Sequence, residues 1–122
     1  MWDAGVWDKE NNILSIKWSG RVTPDEVAAA NEKLQQILQD LAPKSFDVVV
    51  EMENLMAFSP ETQEAIVEHQ RWLLEEGMRY AAVVVDKATA KMQLKRTAKE
   101  SGHSNEFHFD TIDEAIEFLK NK

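Results

Sequence analysis

Residues 46–53, Phe46-Asp47-Val48-Val49-Val50-Glu51-Met52-Glu53, decide the fold of this 122-residue chain, because their three consecutive valines leave no polar face. A strand wet on one side alternates apolar and polar residues, whereas a strand covered on both faces reads as a continuous apolar run. Phe46 to Met52 is therefore predicted as a central strand, and Tyr80 to Val85 repeats the pattern with Ala81-Ala82-Val83-Val84-Val85. Between the two lies a helix. Ser59 is placed to cap it, Pro60 and Glu61 occupy its first turn, and Gly77 marks its end.

Upstream, Thr23-Pro24-Asp25-Glu26 carries a capping box: Thr accepts from the third helical N–H, Pro is preset at the first position, and Glu reaches back. Val27, Ala30, Leu34, Ile37, Leu38 and Leu41 then follow three-and-four spacing until Pro43 forbids continuation. Before that helix, residues 2–8 and 13–18 read as two strands joined by Glu10-Asn11-Asn12, since Asn tolerates left-handed backbone angles. Leu14, Ile16 and Trp18 alternate with Ser15 and Lys17, and Ser19-Gly20 breaks the run. Downstream, Asp86 caps a predicted helix over about 88–101 that ends at Gly102, and Phe107 to Phe109 is a short strand. Thr111-Ile112-Asp113-Glu114 is a second capping box ahead of Ala115, Ile116 and Leu119.

The order is ββαβαβαβα. Strands separated by single helices run parallel and connect right-handedly, so the expected fold is α/β. It has a mostly parallel sheet of about five strands, an antiparallel N-terminal hairpin, and four helices on one or both faces. Residues 1–122 form a single domain on this reading, long enough to bury a core without disulfide or metal staples. In such folds ligands and regulatory contacts gather beyond the carboxyl ends of the strands, here at 51–59, 86–88 and 109–111.

Composition narrows the function. With 14 Lys+Arg against 22 Asp+Glu the formal net charge is -8, which excludes a general affinity for nucleic acid. No apolar run approaches the ~20 residues of a membrane span, and Met1-Trp2-Asp3-Ala4-Gly5 lacks a signal peptide's basic start. The absence of cysteine removes thiol chemistry and Cys-ligated metals and fits a reducing compartment, so a cytoplasmic protein is expected. Gly5, Gly20, Gly77 and Gly102 stand alone, so no glycine-rich phosphate loop can be written, and the G-x-S-x-G nucleophile elbow is also missing. His69, His103 and His108 have no metal-ligand spacing, so neither cofactor nor metal is expected.

Four features carry candidate chemistry. His69 falls by helical spacing among Ala65, Ile66, Trp72 and Leu73, which reads as a hydrogen-bonded core histidine before a proton-transfer group. Glu51 and Glu53 share one face at a strand end, a solvated edge before a carboxylate pair for catalysis. Lys87, Lys91, Lys95, Arg96 and Lys99 face one acid, Glu100, while the rest of the chain has nine cations and 21 acids. That polarity suits a docking surface for an acidic partner, a phosphorylated segment or lipid headgroups, or else a solvated helix face. Val67 and Leu74 lie opposite the core arc of the second helix, as exposed aliphatics for a homodimer or partner patch or as ordinary surface. Trp2, Trp7, Trp18 and Trp72 fill a core or wall an apolar pocket.

The run 46–55, followed by Ser59-Pro60-Glu61-Thr62-Gln63-Glu64, Glu76-Gly77-Met78-Arg79, Ala81 to Val85, Met92 and Phe109-Asp110-Thr111-Ile112-Asp113-Glu114-Ala115, carries a resemblance. It resembles the stand-alone SpoIIAA-like proteins of the STAS superfamily, the sulfate transporter and anti-sigma-factor antagonist fold, from about Trp7 to Leu119. The resemblance implies a non-enzymatic cytoplasmic binding module of regulatory type. In anti-sigma antagonists a serine in an Asp-Ser-Ser-Gly motif at the start of the second helix is phosphorylated and the added charge breaks the complex. Here Ser59 falls on the Asp and Glu61 on that serine, so the acceptor is not carried over and a permanent negative charge stands in its place. The implied partner-binding residues are Ser59, Pro60, Glu61 and Thr62, with Lys91, Lys95, Arg96 and Lys99 beside them. Likeness of some relatives to SEC14-type lipid-binding domains gives the alternative, a small apolar-ligand or lipid carrier walled by Trp7, Trp18, Phe58 and Trp72. The partner is an unknown protein, and the assembly a monomer or homodimer.

Overall fold

A computed structural model describes residues 1–54, 56, 58–85, 99–100, 102 and 105–121. Its elements are β1 (Trp2–Asp8), β2 (Ile13–Ser19), α1 (Pro24–Leu41), β3 (Phe46–Glu53), α2 (Pro60–Glu76), β4 (Met78–Val85), β5 (Glu106–Phe109) and α3 (Ile112–Lys120). The strands form one five-stranded sheet in the order β1-β2-β3-β4-β5. β1 runs antiparallel to β2, and β2–β3, β3–β4 and β4–β5 are parallel. The described residues hold three helices where the sequence predicts four. The helix predicted over about 88–101 lies outside them except for Lys99 and Glu100, which are helical.

Local chemistry sets the boundaries. At the hairpin, the Asp8 carboxylate accepts from the Glu10 and Asn11 backbone N–H groups and from Asn11 Nδ2 at 2.8 Å. Asn12 takes the left-handed angle, φ 52°. Its carbonyl accepts from the Asp47 N–H at 3.0 Å, which fastens the turn to β3. Thr23 and Glu26 complete the capping box of α1, and α1 ends at left-handed Ala42 just before Pro43. Gly77 closes α2 at φ 113°, where a Cβ would stand 2.9 Å from the Lys44 carbonyl oxygen, so only glycine fits both the angle and the approach. The second box is half made: Thr111 accepts from the Glu114 N–H, while the Glu114 carboxylate takes the Thr111 hydroxyl.

Even-numbered β2 and β3 residues face one side of the sheet and odd-numbered ones the other. α1 and α2 pack on the first side against Ile16, Trp18, Val48, Val50 and Met52. α3 packs on the second, where Ile13, Val49, Ala82, Ala115 and Leu119 form a smaller core. The triple valine of β3 thus serves both, as its covered-strand reading requires. On the second side Tyr80, Phe107 and Phe109 also gather on the Phe118 ring. α3 lies against β3, β4 and β5 and reaches Ile13 of β2, while among the described residues the rest of the β1–β2 half of that side borders an open groove.

Candidate functional site

The start of α2 follows the end of β3, at the carboxyl edge of the sheet. Ser59 caps the helix: its Oγ accepts from the Thr62 N–H at 3.2 Å and donates to Thr62 Oγ1 at 3.0 Å. Thr62 Oγ1 in turn donates to the Val22 carbonyl at 2.9 Å, fixing α2 to the segment that leads into α1. Thr62 is 1% exposed, so it anchors the helix and offers a partner no surface. Pro60 and Glu61 are exposed and Ser59 is half-buried. Phe58 is buried beneath them and borders two open grooves. One, about 630 Å³, runs along α2 past Glu64, Val67, Glu68 and Arg71 to Glu100. The other, about 640 Å³, lies between the starts of α1 and α2, beside Arg21 and Glu61.

The described side of this surface is acidic. Glu61, Glu64 and Glu68 are exposed, and the Arg71 guanidinium is engaged by Glu68 Oε1 at 2.9 Å and the Glu100 carbonyl at 3.0 Å. Of the expected basic residues, Lys99 is exposed, while Lys91, Lys95 and Arg96 lie outside the described residues. Val67 is 5% exposed and Leu74 packs half-buried against the core, which corrects the expectation of two exposed aliphatics. α2 is covered more widely than its arc suggests: α1 meets it at His69, while Val67 lies on the other flank, beside Phe58, Arg71 and Glu100.

The four expected apolar walls do not converge. Trp18 is a core residue, 2% exposed, in a T-shaped contact with His69 at 6.0 Å between ring centres. Phe58 is buried at the start of α2, and Trp72 packs half-buried on the same core. Trp7 is 49% exposed on the opposite side of the sheet with Asp3, where alternation from Trp2 and Ala4 places it. The cavity bordered by Trp18 between the sheet and α2 is about 30 Å³, whereas roughly 150 Å³ is needed for a benzene-sized molecule.

His69 is buried and bonded through Nδ1 to Asn31 Oδ1, as its position in the core arc predicts. Burial pulls its pKa from the ordinary 6.5 down to about 4, so the imidazole is neutral at pH 7. Glu51 and Glu53 lie on the α3 side of the sheet, away from it. There Glu53 pairs with Lys17 at 3.2 Å, and the Lys17 pKa is raised first by that bond and then by the Glu51 and Asp3 charges. No cluster of three metal-ligating side chains occurs among the described residues.

Two buried polar groups escape sequence reasoning. Asp47, 1% exposed, accepts from Arg79 at 2.9 Å and from the Tyr80 N–H at 3.3 Å. Its signal was present: an acid at the head of a continuous apolar strand, and a lone arginine at the head of the next. Gln70 donates to Glu106 Oε1 at 3.2 Å, and Glu106 Oε2 lies 3.3 Å from His108 Nε2. That contact joins residues 36 positions apart and follows from no local pattern.

Residues 13–120 match the family model described as SpoIIAA-like. No curated protein matches the chain. Among the described residues no helix is long and apolar enough to cross a membrane.

Proposed function

The chain belongs to the SpoIIAA-like family, and from that membership we propose that it is a non-enzymatic regulatory module acting in the cytoplasm. It binds a protein partner through the loop and first turn of α2. The observation that carries this reading is the exposed Pro60-Glu61 step above buried Phe58, flanked by an open groove on either side. Ser59 contributes the cap that presents the step, since its hydroxyl is already engaged. Glu61 carries its charge permanently, so binding does not wait on phosphorylation of this position. The acids Glu61, Glu64 and Glu68 suit a partner that brings Lys or Arg to α2, while Lys91, Lys95, Arg96 and Lys99 suit an acidic portion of the same partner.

The test compares co-purification from the native cell on wild-type, Glu61→Lys and Lys91→Glu bait. A partner identified with wild type should be lost from Glu61→Lys and reduced with Lys91→Glu, while thermal unfolding of the variants stays within about 0.5 kcal/mol of wild type. Retention of that partner by both variants overturns the assignment of this surface. Native mass spectrometry separates the reading from a lipid or apolar-ligand carrier and gives the oligomeric state. A small adduct lost on denaturation would favour the carrier.

A further inference from the structure

The polar groups under α2 leave one hydrogen-bonding position to be filled. His69 Nδ1 faces the Asn31 carbonyl oxygen on α1, so Nδ1 carries the proton and Nε2 keeps a lone pair. Among the described residues no hydrogen-bonding group meets Nε2, although the ring is 4% exposed. The ring forms part of the wall of the 30 Å³ cavity between α2 and the sheet. Most of that wall is apolar, including Trp18, Ile66, Leu73 and Val83, but Gln70 and Glu106 also border it. A dry cavity of this kind is lined by apolar groups alone, and about 10–15 Å³ suffices for one water that finds two or more polar partners.

We propose that this cavity is a hydration site holding a single water, which donates one hydrogen to His69 Nε2 and the other to the Glu106 carboxylate. Both protein groups are acceptors, so the bridging molecule must be a double donor. About 30 Å³ matches the volume of a single water and is far below that of an organic ligand. Glu106 also accepts from Gln70 and pairs with His108, and a carboxylate has lone pairs enough for all three. The water completes a polar seam from Asn31 on α1, through His69 on α2, to Glu106 and His108 on β5. It gives the buried histidine a structural role and keeps its second nitrogen out of acid–base chemistry.

A crystal structure of the full chain fine enough to show single waters tests this. In wild type one water is expected about 2.7–3.2 Å from His69 Nε2. In His69→Leu, which removes the acceptor on α2, the water should be lost. A wild-type cavity that shows no water overturns the proposal, as does a water bonded to neither Nε2 nor Glu106. If His69→Leu does not fold, the imidazole nitrogen resonances of wild type decide. A hydrogen-bonded Nε2 lone pair supports the water, and a free one refutes it.

Discussion

The side of the sheet under α1 and α2 and the side under α3 share the same strands but bury different things. Helices of 18 and 17 residues seal the first, and every apolar side chain of β2 and β3 that points there is in the core. A helix of 9 residues reaches only part of the second, so Asp3, Trp7, Lys17 and Glu51 border a groove open to water. The lesson is that Val48, Val49 and Val50 stay apolar under either cover, whereas beyond them the side under the shorter helix turns to solvated charge. Glu51 and Glu53 mark that limit on the short helix's side. Met52, between them, is still buried on the other.

The sharpest way to break this comparison is to truncate one tryptophan on each side. Trp18→Ala removes a ring from the sealed core and should cost about 3–5 kcal/mol in urea unfolding. Trp7→Ala removes a half-exposed ring from the open groove and should cost within about 0.5 kcal/mol. Comparable losses would mean that the open groove is packed in solution, by a second copy or a partner.

Acid sensitivity sharpens it next. His69 lies on the sealed side with its pKa lowered to about 4 from 6.5, so between those values the unfolded chain binds the extra proton. Stability from this group is complete above pH 6.5, declines as pH falls, and is gone below pH 4. At 1.36 kcal/mol per pH unit the decline between pH 7 and pH 5 is about 2 kcal/mol. Denaturant midpoints across that range should lose this component of their slope in His69→Leu. An unchanged slope would show that the imidazole is solvated in the folded protein.

Much of this was legible in the sequence, for physical reasons that differ by region. The Thr23 and Ser59 caps, the Gly77 stop and the covered strand 46–52 are local, each decided by a few neighbouring residues and backbone geometry. Met78 and Arg79 extend β4 two residues before the predicted Tyr80, because pairing with β3 starts at Phe46 and overrides the weak local signal. At the candidate site, Ser59, Pro60 and Glu61 stand where the cap places them. Thr62 was taken for surface because its hydroxyl acceptor, Val22, is 40 residues away. Grouping the tryptophans as walls overlooked the alternation of β1, which puts Trp7 on the face opposite Trp2 and its partner Trp18.

The Ser59 cap gives a smaller test on the boundary between the two behaviours. Ser59→Ala frees the Thr62 N–H at the start of α2 and should cost about 1 kcal/mol, between the two tryptophan values. It also removes the donor to Thr62 Oγ1, whose own bond to Val22 remains. The effect therefore stays local, and the His69 acid slope should be unchanged in this variant. A slope altered together with the cap would mean that the α2 start and the buried seam move as one unit.

The smallest effect belongs to the open side. Lys17 Nζ lies 3.2 Å from Glu53, and the Glu53 bond, followed by Glu51 and Asp3, raises the lysine pKa above 10.5. A raised lysine contributes stability that is present below its unfolded value and lost as pH rises through the folded one, so the pair acts in alkali, opposite to His69. Both groups are solvated, and water and salt screen the attraction. Lys17→Ala should therefore move the urea midpoint at pH 7 less than Ser59→Ala does, and 1 M salt should erase what shift there is. A shift as large as that of Trp18→Ala, persisting in salt, would require the pair to be buried, and the only way to bury it is to cover the half of the sheet that α3 leaves open.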